Sequence, residues 1–161
     1  MNRDVKKIIE EVVADVLAKH DFEINGTISK DLDLSYAKKL SEFAEFKATQ
    51  IGVKCVFSVV DAVGDTMLLH RMNDSLRISI ELAQNKAFTA EELRMSTEEL
   101  AKISVPGESL YSIDNCYGGR ITLIPGGFPL FKDGKVVGAI GVSGGTAEED
   151  CEIARYVLDN L

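Results

Sequence analysis

The chain has 161 residues, with 18 lysines and arginines against 26 aspartates and glutamates, a formal charge of -8 and a sequence pI near 4.8. That balance excludes a phosphate-tracking surface and general nucleic-acid binding, and no apolar run is long enough to span a bilayer. Cys55, Cys116 and Cys151 are odd in number and widely spaced, so neither a disulfide framework nor a structural zinc site is indicated, and a reduced cytoplasm fits.

Residues 1 to 20 carry Val5, Ile8, Ile9, Val12, Val13, Val16 and Leu17 at helical spacing, all on one face, with charged residues of both signs opposite. A helix this short gains stability only by docking its stripe on something. Either it packs on its own domain or a neighbouring subunit, or it serves as an address. The segment resembles the encapsulation peptides of bacterial microcompartment cargo, which implies a helix laid in a groove of a shell or cargo protein. Charges interrupt the apolar positions, so a secretory signal is excluded, and the mixed polar face disfavours an anionic membrane surface. Residues 21–33, with the Asn25-Gly26 turn signal, read as a linker, and the compact domain is expected over 34–161.

Leu34, Ala37, Leu40, Ala44, Ala48 and Ile51 mark one face of a helix that Gly52 stops. Val53–Val60 and Thr66–Arg71 predict two strands of an antiparallel hairpin around the turn Asp61–Asp65. Ser75 to about Leu93 is helical again, with Ile78, Leu82, Ala83, Ala87 and Ala90 at core spacing, and Ser96–Ile103 predicts a short helix. The long stretch Val105–Gly119 is rich in turn formers, and loops of this kind often carry binding. Arg120–Ile124 reads as a strand, PGGFPLF follows, Asp133-Gly134 forms a tight turn, and Val136–Val142 is a strand with small residues at Gly138, Ala139 and Gly141. Thr146 with Glu149 three residues on predicts a capping box for a last helix, Thr146 to about Asn160. Hairpins interspersed with helices give an α+β class rather than a doubly wound parallel sheet.

The stretch GGFPLFKDGKVVGAIGVSGGTAEEDCEIA, Gly126–Ala154, with VVDAVGDTMLLHRMNDS, Val59–Ser75, and NKAFTA, Asn85–Ala90, resembles the GlcG/HbpS-like family, which includes the carboxy-terminal domain of PduO. The resemblance implies a profilin-like three-layer sandwich with a five-stranded antiparallel sheet flanked by helices, assembled into homo-oligomers from dimers to octamers. It also implies a tetrapyrrole ligand, haem, with a corrinoid as the alternative. The adenosyltransferase domain of PduO is absent, so cobalamin adenosylation does not carry over. Together with the first helix, this suggests an accessory protein inside a microcompartment for diol or related utilisation, more a binding protein than a classical enzyme. The alternative is a small-molecule enzyme or structural cargo adaptor without tetrapyrrole.

Haem ligands are His, Cys, Met or Tyr. With His20 in the first helix, His70 is the one histidine inside the expected domain, and Arg71 beside it suits a propionate. Tyr111, Cys116 and Tyr117 in the long loop are alternatives. Two histidines cannot build a multi-histidine centre within the domain. Gly126, Gly127, Pro129, Ser143, Gly144 and Gly145 mark a further candidate pocket, because N–H groups at a helix start can receive an anion. The competing reading gives these glycines to tight turns and close packing, and gives Glu149 and Asp150 to capping.

Overall fold

The computed structural model describes residues 32–161. The apolar stripe from Val5 to Leu17 and most of the linker lie outside the described residues. The described fold starts at Leu32, which is buried, and Asp33, whose carboxylate accepts the Tyr36 N–H at 2.7 Å and caps helix α1, Leu34–Gln50. Ala37, Leu40, Ala44 and Ala48 of α1 are buried as their spacing predicts. Leu34 and Ile78 are instead exposed, each opening its helix ahead of most of the residues that pack.

Strand β1, Val56–Asp61, turns into β2, Thr66–Arg71, through a loop tied by the Asp61 carboxylate, which accepts the N–H groups of Val63 and Asp65 at 3.0 Å each. Helix α2, Ile78–Leu93, and the short α3, Thr97–Ile103, follow. Ser96 and Glu99 cap α3 reciprocally. Residues 105–119 run in turns that end in a kinked, tight helical segment, Ile113–Gly119. Strands β3, Gly127–Lys132, and β4, Lys135–Ser143, form the second hairpin, with Asp133 and Gly134 both at positive φ in its turn. Helix α4, Ala147–Asp159, closes the fold, and the Thr146–Glu149 capping box is formed.

The sheet has four strands among the described residues, in the order β2-β1-β4-β3 and antiparallel throughout, not the five that the resemblance implied. Arg120–Ile124 forms no strand. Thr122 gives its N–H to the Thr89 hydroxyl on α2 at 3.0 Å, and Ile124 gives its own to the Thr122 hydroxyl, so side chains take the donors a ladder would need. The first strand of the second hairpin is Gly127–Lys132 instead.

Side-chain alternation along β1 and β4 sorts the core into two halves. Phe57, Val59, Ile140 and Val142 pack with Ala37, Leu40 and Ala44 of α1 and with Ile153, Ala154 and Val157 of α4. Val60 and Ala139 face the other way, against Ala87 and Ala90 of α2. The layers are therefore α1 with α4, the sheet, and α2. Small residues set the spacing of α2: a Cβ on Gly141 would overlap the Ala83 carbonyl and stand 2.6 Å from the Ala87 nitrogen.

Candidate functional site

The sequence-selected residues separate into four places. Gly126, Gly127, Ser143, Gly144 and Gly145 converge where β3 begins and β4 runs into α4, around a residue that motif reading passed over. Lys86 of α2 is 1% exposed, and its Nζ donates to the Asp150 carboxylate at 2.6 Å and to the Val142 carbonyl at 2.8 Å. The second Asp150 oxygen accepts the Gly145 N–H at 3.0 Å. Burial pushes the Asp150 carboxyl above its ordinary value, and the Lys86 ammonium pulls it back. Asp150 is thus more than a dipole complement: it is the anion that occupies the turn before α4. A Cβ on Gly126 would lie 2.8 Å from the Val142 oxygen and 3.1 Å from the Lys86 Nζ. One on Gly127 would overlap the Lys86 carbonyl, and one on Gly144 the Lys54 carbonyl. These glycines make room for chain crossings and for the ion pair, which is the packing reading of the motif.

His70 and Arg71 stand at the end of β2, an edge strand, with His70 opposite Phe57. The His70 side chain is 31% exposed, and its Nε2 lies 3.3 Å from a Glu45 carboxylate oxygen on α1. The Glu45 carboxylate thus stands beside one ring nitrogen, and the other, Nδ1, makes no hydrogen bond among the described residues. Arg71 is exposed.

Tyr111, Cys116 and Tyr117 are all exposed in the 105–119 stretch. Tyr117 donates to a Glu92 carboxylate at 3.0 Å, and that bond pushes its phenol up from the ordinary value, which disfavours the phenolate a metal would need. Its ring meets Phe88 edge-on at 5.2 Å between centroids, while the Arg120 guanidinium lies over the Phe88 ring at 3.5 Å. The loop is anchored by these contacts. The other thiols are closed to chemistry, since burial pushes Cys55 up to about 12 and also raises Cys151.

Pro129 lies on β3, the opposite edge of the sheet from His70, three strand spacings or about 14 Å across. It lines a cleft of about 760 Å³ among α3, β3 and α4. The structure therefore does not gather His70, the long loop and Pro129 into one pocket. No group of three or more metal-ligating His, Cys, Asp or Glu side chains occurs among the described residues, and no described helix is long and apolar enough to cross a membrane.

Comparison with known proteins places this fold. The chain is 44% identical over 80% of its length, and 90% of the relative's, to an uncharacterised 15.0 kDa protein of the dhaT-dhaS intergenic region of Citrobacter freundii. It is 38% identical, over 74% of its length, to the corrinoid adenosyltransferase PduO of Salmonella typhimurium, of which it spans only 36%. Among solved structures, a PduOC complex with haem superposes with a TM-score of 0.78 at 35% identity, covering 81% of this chain and 94% of that one. The family model for the haem degrading protein HbpS-like matches residues 32–159, essentially the whole described fold, and the chain belongs to that HbpS-like family.

Proposed function

We propose that the protein binds haem as an accessory protein of a bacterial microcompartment, in which His70 would hold the iron and Arg71 would pair with a propionate. The observation that carries the reading is the partly exposed His70 imidazole, with Glu45 3.3 Å from one nitrogen, in a fold shared with a structure that is itself a haem complex. The residues fit the group in kind: a partly exposed imidazole, a side chain that ligates haem iron, and a guanidinium next in sequence that suits a propionate. When bound, haem supplies redox and ligand-exchange chemistry at its iron. The chain's own part is to orient the imidazole and neutralise a carboxylate. Exposed Leu69, Leu76 and Val63 close to this edge strand support self-association, which would shield a flat apolar ligand.

The relative encoded between dhaT and dhaS and the amphipathic stripe Val5–Leu17 support the organelle setting. Haemin added to the full chain should give a saturable Soret band, and cob(II)alamin a weaker response or none. A corrinoid shift without a Soret band would replace haem by a corrinoid. A response to neither would favour the adaptor reading. Residues 1–20 fused to a fluorescent protein should enter microcompartments when shell proteins are present, and Ile9→Glu with Val13→Glu should abolish this by placing charge on the docking face.

A further inference from the structure

We propose that the cleft among α3, β3 and α4 is a second binding site, for a small organic carboxylate with an apolar body, whose charged end lies between Arg94 and Lys102. The inference is independent of the haem reading, because the cleft lies at the β3 edge and His70 at the β2 edge.

The cavity, about 760 Å³, is in the range of small-molecule sites. Its apolar wall is Phe128, Pro129 and Phe131 of β3 with Leu158 of α4, completed by Met95 and Ile103. The charged rim sorts by engagement. Arg155 is bound to Glu98 and stands 5.6 Å over the Phe128 ring, so both members of that pair are committed to the wall. Glu99 accepts from the Ser96 N–H and hydroxyl at 3.0 and 2.9 Å, and these bonds hold its carboxyl below the ordinary range. Arg94 and Lys102 form no salt bridge among the described residues, and act on Glu91 and Glu99 only through space. Two cations without a bound counter-ion thus border a wall of aromatic and aliphatic carbon, the complement of an amphipathic acid.

Arg94 supplies an independent sign. It ends α2 in the left-handed region at φ 55, ψ 32, where glycine is the usual occupant because it bears no strain there. A long cationic side chain thus stands where the backbone favours glycine, so its replacement by glycine removes the charge without straining the helix end.

That geometry yields a test in which binding and folding move apart. In calorimetric titrations of the full chain, 4-phenylbutyrate should bind saturably and 4-phenylbutanol at least tenfold more weakly. Arg94→Gly should weaken phenylbutyrate tenfold or more while its melting temperature stays equal or rises, and Lys102→Gln should weaken it several-fold. His70→Ala should leave this binding unchanged whatever it does to haemin. Absence of saturable binding at millimolar acid, or full binding by both cleft variants, overturns the proposal. Tighter binding of phenyl phosphate than of phenylbutyrate overturns the carboxylate assignment.

Discussion

The turn into α4 and the end of β2 both present charged groups next to a sheet, and they differ in what the chain itself has already done with those groups. At the first, Lys86, Asp150, the Val142 carbonyl and the Gly145 N–H satisfy one another below the surface, with both charged side chains at most 3% exposed. At the second, His70 is one-third exposed with one carboxylate contact, and Arg71 faces solvent. Polar groups that close on each other define a structure, whereas groups left with capacity at a surface are available to a ligand. The glycine-rich stretch builds the closed region, and the open one rests on two residues, His70 and Arg71.

The comparison breaks most visibly at Lys86. Lys86→Met leaves the Asp150 carboxylate buried without its cation and should cost about 3–5 kcal/mol in a urea unfolding titration at pH 7. Adding Asp150→Leu should recover much of that loss, since a buried pair replaced as a whole by apolar residues is often near neutral. The pH dependence has a definite sign. Burial already holds Asp150 above its ordinary value of 3.8, and losing Lys86 raises it further, so folded Lys86→Met binds the proton more tightly than the unfolded chain. Its stability should be greatest below the unfolded value and fall as pH rises through the raised one. If Lys86→Met is as stable as the parent at neutral pH, the pair is not the keystone described.

Gly141→Val drives a side chain into the backbone of α2 and should cost about 1–3 kcal/mol or more, measured by the same titration. Thr146→Ala removes the hydroxyl that caps α4, and a loss of about 1 kcal/mol is expected by thermal melt. The smallest stability effect is at the open region: His70→Ala should stay within about 0.5 kcal/mol of the parent, as befits a surface substitution.

What could be read from the chain follows the range of the interactions. The Thr146–Glu149 box and the Asp133-Gly134 turn span only a few residues each and formed as their spacing predicts, and the α1 face rests on contacts within one helix and formed but for Leu34. The strand assigned to Arg120–Ile124 failed because the Thr122 N–H goes to the Thr89 hydroxyl, 33 residues away, and the Ile124 N–H to the Thr122 hydroxyl. Lys86 and Asp150 are 64 residues apart, and motif reading gave Asp150 a local role. A signal did exist: Lys86 falls three residues after Ala83 and four before Ala90 on the buried face of α2, where a lone lysine requires an anion. The α3–β3–α4 cleft drew only Pro129 from sequence, because Arg94, Phe128 and Leu158 belong to three separate elements that meet only in the folded chain.

On the proposal that the open end of β2 would hold the haem iron, the deciding experiment is a parallel haemin titration of the 161-residue chain and its His70→Ala variant. The parent should give a saturable Soret band that is lost or shifted to a weak, non-saturating form in His70→Ala, with both proteins equally folded by circular dichroism. An unchanged Soret band and affinity in His70→Ala would contradict it and move the ligand to another part of the molecule.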